Sequence, residues 1–132
     1  MQEVKAMKKK ALIVEDDGLL QNVLAKKMEF LGMEVLRAND GQAGYDLILR
    51  EHPHIVLLDL MLPQMDGFQV LEAIRKYPDQ EVAATKVIVL SNLWSAKDIL
   101  GAKALKIEEY YVKNSADLDE VCRKALACTV QN

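Results

Sequence analysis

The chain has few cysteines and no long apolar run, and each shortage excludes a class of protein. Its 132 residues hold two cysteines, with no CxxC pair and no zinc-ligand spacing, which argues against a disulfide scaffold or a zinc site. Cys122 and Cys128 lie in one predicted helix, and we expect both to be reduced and packed as small apolar side chains. No apolar stretch approaches the about 20 residues that span a bilayer, and residues 1–10 lack the apolar region of a signal peptide. We therefore expect a cytoplasmic protein without a membrane partner.

The charge balance argues against a nucleic-acid partner. Lysine and arginine number 17 and aspartate and glutamate number 20, so the formal net charge is −3. Nucleic-acid-binding domains carry a basic excess, which this chain lacks. Its length and its 51% apolar content suit one globular domain. We expect an N-terminal tail at 1–8, the domain at 9–128, a C-terminal tail at 129–132 and no output domain.

Short apolar runs alternate five times with segments of helical period. Strands are predicted near residues 10–15, 33–38, 54–59, 86–91 and 109–113. The first predicted helix has an apolar face made of Leu20, Leu24, Met28 and Leu31, and the last has one made of Leu118, Val121, Cys122, Ala125 and Leu126. Three shorter helices are predicted between them, at 41–51, 66–77 and 96–105. Alternating units of this kind predict an α/β, flavodoxin-like (βα)5 three-layer sandwich whose parallel sheet has the strand order 2-1-3-4-5.

Polar residues at the predicted helix ends fit this division of the chain. Asp17 is expected to cap the first helix, Asn39 or Asp40 the second, and Ser95 the fourth. Gly32 follows the first apolar stripe and predicts the end of that helix.

Carboxylates and a lysine stand at the carboxyl ends of the predicted strands. Glu15 and Asp16 follow the first strand, Asp59 the third and Lys113 the fifth, while Ser91 ends the fourth. Since the first and third strands are neighbours in the predicted order, the three carboxylates should converge, repel one another and raise the pKa of at least one. Mg²⁺ is the hard divalent cation expected to relieve that repulsion. A cation, a lysine and a hydroxyl around one carboxylate predict a site that forms an aspartyl phosphate.

At these positions the chain resembles the receiver domain of bacterial response regulators, over roughly residues 9–127. The matching segments are Leu12-Ile13-Val14-Glu15-Asp16-Asp17, Asp40-Gly41, Val56-Leu57-Leu58-Asp59-Leu60-Met61-Leu62-Pro63, Met65-Asp66-Gly67, Val87-Ile88-Val89-Leu90-Ser91 and Tyr110-Tyr111-Val112-Lys113. The resemblance implies a stand-alone, chemotaxis-regulator-like receiver that acts in two-component signalling.

The resemblance also implies a role for each site residue. Asp59 would accept phosphate from a phosphohistidine of a sensor histidine kinase or a histidine phosphotransfer protein. Asp16, Asp59 and the backbone carbonyl of Met61 would bind Mg²⁺ directly, and Glu15 would act through a water molecule. Lys113 would pair with the phosphoryl group.

Phosphorylation of such a domain implies a conformational switch. Ser91 would move towards the phosphoryl group and Tyr110 would follow inward, which alters the face made by the fourth predicted helix, the fifth strand and the last helix. That face would bind a downstream protein, with the chain a monomer or a phosphorylation-dependent dimer. The protein would be a phosphoacceptor and not an enzyme, with at most slow autophosphatase activity, because Met61 and Leu93 cannot orient an attacking water.

Departures from the family pattern keep an alternative function open. Asn114 replaces the usual proline, and we expect a trans bond or a reshaped loop there because a cis bond without proline costs about 3–4 kcal/mol. Asn92 follows Ser91 where a smaller residue is usual. The alternative is a pseudo-receiver, which would act as an interaction module without phosphorylation. Trp94 is either an exposed partner contact or a packed loop anchor.

Two other rival functions fit the sequence poorly. An aspartyl-phosphate phosphatase would need a second aspartate at Met61. A flavin-binding protein would be opposed by the acidic segment that follows the first strand.

Overall fold

Five short apolar segments form one parallel sheet at the centre of the molecule. The structure, a computed structural model, describes residues 8–130. The strands are β1 (Lys10–Val14), β2 (Glu34–Ala38), β3 (Ile55–Leu58), β4 (Val87–Ser91) and β5 (Glu109–Val112). Their order in the sheet is β2-β1-β3-β4-β5, and every pairing is parallel. The predicted fold class and strand order are therefore confirmed.

The helices cover both faces of this sheet. They are α1 (Gly18–Phe30), α2 (Gly41–Glu51), α3 (Gly67–Arg75), α4 (Gln80–Ala83), α5 (Ala96–Lys103) and α6 (Leu118–Thr129). Because α4 is a single turn with one buried side chain, Val82, its sequence carries no helical period, and it was not predicted. Thr129 belongs to α6, whereas the predicted tail began there; residues 1–7 and 131–132 of the predicted tails lie outside the described residues.

Two apolar clusters fill the space between the sheet and its helices. Alternate β1 side chains point to opposite faces, so Ala11 and Ile13 join one cluster while Leu12 and Val14 join the other. The first cluster contains buried residues of α1 and α6, including the free cysteines Cys122 and Cys128. The second contains buried residues of α2, α3 and α5. Because both faces are covered, β1, β3 and β4 consist almost entirely of apolar residues.

The predicted helix ends are largely confirmed. Asp17 caps α1 and Ser95 caps α5. Asp40, and not Asn39, caps α2 by accepting a hydrogen bond from the backbone N–H of Ala43. Gly32 follows α1 with φ +90°, the left-handed conformation that glycine adopts without strain. These caps fix where each helix starts relative to the strand end before it.

Candidate functional site

Three carboxylates lie together at the carboxyl edge of the sheet. The β1–β3 register pairs Val14 with Leu58, so the residues that follow them leave the sheet at the same level. One carboxylate oxygen from each of Glu15, Asp16 and Asp59 lies within 4.8 Å of the other two. Glu15 and Asp59 are buried, whereas Asp16 is exposed to solvent.

Lys113 reaches this cluster from the far edge of the sheet. Its backbone N–H donates to the carbonyl of Ser91 at 2.9 Å, which extends the β4–β5 pairing past Val112. The Nζ atom lies 2.8 Å from Oδ2 of Asp59, and 2.9 and 3.1 Å from Oε1 and Oε2 of Glu15. A long lysine side chain can span β4 in this way and place one positive charge between two buried carboxylates.

Burial and ion pairing set the ionisation of this cluster. Burial raises the pKa of Glu15, while hydrogen bonds from the Asp17 backbone and Lys113 lower it less; repulsion from Asp59 adds the smallest rise. The predicted rise in a carboxyl pKa is therefore present, but its main cause is desolvation and not repulsion between carboxylates. Burial alone would lower the pKa of Lys113, yet its hydrogen bonds and attraction to Asp59 and Glu15 prevail and raise it. The lysine is charged at neutral pH.

The donor set fits a hard divalent cation. Three carboxyl groups and one ammonium group make the site formally anionic, and all the candidate ligands are oxygen atoms, as Mg²⁺ prefers. Both oxygens of Glu15 contact Lys113, and Oε2 also accepts from the Asp17 backbone at 2.9 Å, so Glu15 is poorly placed for direct coordination. Asp16, Leu60 and Met61 line an open cleft of about 550 Å³. The ligand roles assigned to these residues stay predictions.

The side chains of the predicted switch meet at one backbone segment. Ser91 is fully buried, and its hydroxyl accepts from the Leu93 backbone N–H at 3.3 Å. The Tyr110 hydroxyl donates to the Leu93 carbonyl at 2.7 Å.

Trp94 is 74% exposed, which fits the surface alternative and not the packed anchor. No cis peptide bond occurs between residues 8 and 130, so the bond before Asn114 is trans, as expected.

Two glycines of the matched motifs permit close contacts between the loops of the site. A Cβ atom on Gly67 would overlap the backbone carbonyl oxygen of Asp59, and one on Gly41 would overlap the carbonyl oxygen of Met65. These glycines let α3 and the start of α2 press against the loop that follows Asp59.

Sequence reasoning missed one buried polar residue next to the site. Gln21 is 5% exposed and lies on the buried face of α1 with Leu24 and Met28. Its Nε2 atom donates to the carbonyl of Glu15 at 2.9 Å. The sequence did contain a signal for this residue: Gln21 precedes Leu24 by three residues and Met28 by seven, so it interrupts the apolar face of the helix with a polar side chain.

Within residues 8–130 no helix combines the length and the hydropathy needed to cross a membrane.

Known proteins match most of this chain. A family model described as the response regulator receiver domain matches residues 11–125. A probable transcriptional regulator of Galdieria sulphuraria is 35% identical over 106 residues, which are 80% of this chain and 40% of that protein. The Regulator of RpoS of Escherichia coli is 32% identical over 120 residues, 91% of this chain and 34% of that protein. The chain thus spans less than half the length of these curated relatives.

Solved structures agree with the family model. The receiver domain of the Francisella response regulator 1452 aligns with a TM-score of 0.81 at 27% identity, covering 92% of this chain and 97% of that one. The Vibrio cholerae chemotaxis protein CheY4 aligns with a TM-score of 0.81 at 20% identity, covering 92% and 99% of the two chains, and shows the shared fold.

Proposed function

Because the chain belongs to the response regulator receiver domain family, we propose that Asp59 accepts a phosphoryl group from a phosphohistidine. Receiver domains are phosphoacceptors of two-component signalling that interact with histidine kinases or phosphotransfer proteins. The observation that carries the proposal is a nearly buried carboxylate, Asp59, with an ammonium group 2.8 Å away and two further carboxylates beside it.

The transfer requires one bond to form and one to break. A lone pair on an Asp59 carboxylate oxygen forms the new bond to phosphorus, while the phosphorus–nitrogen bond of the phosphohistidine breaks and its electron pair stays on the imidazole. Lys113 neutralises negative charge at the transferred group, and the Ser91 hydroxyl can donate to a phosphoryl oxygen once it moves from its present contact with Leu93.

Asp16, Asp59 and the Met61 carbonyl would hold Mg²⁺ directly, and Glu15 through a water. When bound, the cation supplies charge neutralisation for the phosphoryl oxygens. The chain's own residues supply the rest. The backbone N–H of Met61 donates to Oδ1 of Asp59 at 3.1 Å and fixes the carboxylate, and Lys113 holds Oδ2. With both oxygens held, the nucleophile is oriented before a donor arrives.

Phosphorylation then acts on the face formed by α5, β5 and α6. Movement of Ser91 towards phosphate would break its bond with the Leu93 backbone, and Tyr110 is tied to the same residue through its hydroxyl. A change that favours one of two conformations shifts the population towards it, and the phosphoryl group on Asp59 would favour the conformation in which Ser91 contacts phosphate. A downstream protein that prefers the phosphorylated arrangement would read the signal.

Several relatives bear names of transcriptional regulators, and the Synechocystis relative RpaA is named a DNA-binding one. The chain covers 47% of that protein, and its net charge is −3. We propose protein partners for the domain described here, and no contact of its own with nucleic acid.

The test is phosphorylation by a small donor followed by intact mass measurement. Incubation with acetyl phosphate and Mg²⁺ should add one phosphoryl group to the wild-type chain and none to Asp59→Asn. Asp46→Asn is the matched control, because it removes the same charge from an exposed position on α2 and should still gain phosphate. Transfer from a phosphorylated histidine phosphotransfer protein should follow the same pattern.

The same measurement separates the receiver from the pseudo-receiver. A wild-type chain that gains no phosphoryl group from either donor would favour an interaction module that works without phosphorylation. Phosphate gained equally by Asp59→Asn would place the acceptor elsewhere.

A further inference from the structure

A buried amide joins two turns behind the carboxylate cluster. The Nε2 atom of Gln21 lies 2.9 Å from the Glu15 carbonyl oxygen, 3.0 Å from that of Ala38, and 3.0 Å from Oδ1 of Asn39. The Glu15 carbonyl belongs to the turn after β1, which also carries Asp16. Ala38 ends β2, and Asn39 begins the turn that follows β2. Two amide hydrogens thus serve three oxygens on two segments of the chain.

The turn at residues 39–41 also contacts the loop after β3. The backbone N–H of Gly41 donates to the carbonyl of Pro63 at 3.3 Å. The absence of a side chain at Gly41 lets its Cα lie against the carbonyl of Met65. The 39–41 turn therefore lies between the segment of Glu15 and Asp16 and the segment that carries Met61, although it offers the site no ligand.

We propose that Gln21 and the 39–41 turn act as a clamp that positions the two ligand-bearing loops for the cation. This inference rests on the proposed function, since it concerns the same cation site. Gln21 is a positioning residue that acts through the backbone of Glu15 and never touches the cation. The Asp40-Gly41 motif takes no part in the phosphotransfer chemistry. Its role in this proposal is to separate the two ligand-bearing loops by a fixed distance.

The clamp matters because the site it supports is electrostatically strained. Like charges at Glu15, Asp16 and Asp59 favour separation of the two loops when no cation is bound. The backbone N–H groups of Glu15 and Asp59 still bond to neighbouring strands, at Ala38 (3.0 Å) and Val14 (3.1 Å), so the freedom that the clamp restrains lies in the Glu15 carbonyl and the residues beyond it. A fixed Glu15 carbonyl limits how far Asp16, the next residue, can turn away. Groups that orient metal ligands without binding the metal commonly change metal affinity by 10–100-fold.

The replacement Gln21→Met tests the clamp, because it keeps the length of the side chain and removes both donors. Stability of the whole chain against urea would be measured at increasing Mg²⁺, and the dissociation constant obtained from the Mg²⁺-dependent rise in stability. We expect Gln21→Met to raise the Mg²⁺ dissociation constant about tenfold. Rates of phosphorylation by acetyl phosphate should fall at low Mg²⁺ and recover towards the wild-type maximum at saturating Mg²⁺, as expected of a residue that tunes affinity and not chemistry.

Leu24→Ala is the matched control on the same helix. Leu24 is fully buried one turn further along α1 and packs in the core. Its replacement should lower stability without changing the Mg²⁺ dissociation constant. Gln21→Asn is the second variant: it keeps an amide on α1 but shortens the side chain by one methylene, so the amide no longer reaches the Glu15 and Ala38 carbonyls together and the Mg²⁺ dissociation constant should rise.

Each outcome decides between distinct ideas. A Gln21→Met protein that is less stable but binds Mg²⁺ as tightly as wild type would overturn the clamp while leaving the proposed function intact. If Gln21→Met does not fold, an unchanged dissociation constant in Gln21→Asn overturns the clamp, and a raised one supports it. A wild-type chain that Mg²⁺ does not stabilise, with Asp16→Asn behaving identically, would overturn the cation site and the clamp together.

Discussion

Replacing Asp59 by asparagine should stabilise the protein in the absence of divalent cations and reduce the further stabilisation that they give. Asp59→Asn removes one of three clustered negative charges and keeps the size of the side chain. It also removes the charge that attracts Lys113. The sign of the effect depends on these two contributions and on the desolvation cost of the buried charge.

Distances in the site allow both contributions to be compared. At an effective dielectric constant of about 20, the 2.8 Å contact between Lys113 and Asp59 corresponds to roughly 6 kcal/mol of attraction. The carboxylates of Glu15 and Asp16 lie within 4.8 Å of Asp59, and at the same dielectric constant each repulsion corresponds to about 3.5 kcal/mol, less for the exposed Asp16 because solvent screens it. The attraction lost and the repulsion removed are therefore of similar size, and the desolvation cost of the buried charge, which disappears in Asp59→Asn, decides the sign. We expect Asp59→Asn to raise the free energy of unfolding by about 1–2 kcal/mol.

Urea unfolding followed by circular dichroism at neutral pH checks this expectation. In EDTA the midpoint of Asp59→Asn should lie above that of wild type, with an unchanged slope. At Mg²⁺ a hundredfold above the dissociation constant, wild type should gain about 2.7 kcal/mol, whereas the variant has lost a ligand and should gain less. Asp46→Asn, an equal charge change at an exposed position, should stay within about 0.5 kcal/mol of wild type in both buffers.

Two results would refute this reasoning. An Asp59→Asn protein less stable than wild type in EDTA would mean that the ion pair with Lys113 outweighs the repulsion among the carboxylates and the desolvation cost together. Equal stabilisation of both proteins by Mg²⁺ would mean that Asp59 is not a ligand.

Three further predictions concern pH, packing and lifetime. His54 is exposed, its Nδ1 accepts from the Lys10 backbone N–H at 2.9 Å, and partial desolvation, then nearby lysines, lower its pKa. Its contribution to stability is therefore full above about pH 6.5 and declines as pH falls towards the lowered folded value. Urea unfolding at a series of pH values should show this slope reduced in His54→Gln. Gly67→Ala should destabilise by about 1–3 kcal/mol because its Cβ would overlap the Asp59 carbonyl, whereas Gly18→Ala, at the open start of α1, should stabilise by about 0.4–1 kcal/mol in the same denaturation assay. The phosphoryl group on Asp59 should persist for hours, because its hydrolysis should have an activation barrier a few kcal/mol higher, as an order of magnitude, than in fast relatives. Loss of radiolabel within a minute would contradict this.

Controls for these predictions use the same chain. The His54 slope should remain in His52→Gln, because His52 lies at the exposed end of α2 and does not bridge β1 and β3. The lifetime measurement should be repeated with EDTA added after phosphorylation, to separate hydrolysis that depends on Mg²⁺ from spontaneous loss.

The order of elements could be read from the sequence because it depends on local patterns. Buried parallel strands are short apolar runs, and the helices between them show a 3.6-residue period and polar caps such as Asp17 and Ser95. Once the strand order is 2-1-3-4-5, residues that follow β1 and β3 must lie side by side, so the proximity of Glu15, Asp16 and Asp59 followed without knowledge of any side-chain conformation.

Other features depended on side chains that meet across long stretches of chain. Lys113 contacts Glu15, 98 residues earlier, as well as Asp59, and no local pattern indicates which carboxylates a flexible lysine will select. The pKa of Glu15 is raised chiefly by burial, a quantity that only the packed structure defines. The helix α4, one turn long, leaves no periodic trace in the sequence.

The sequence by itself determined which chemical groups stand at the strand ends, since strand boundaries and residue identities are local properties. Only the tertiary structure decided how those groups are held: the Lys113 ion pairs, the tie from Tyr110 to Leu93, and the amide of Gln21 behind the carboxylates. The physical reason is that hydrogen bonds and ion pairs act over about 3 Å. Such distances are fixed by the packing of whole helices against the sheet, to which every part of the chain contributes.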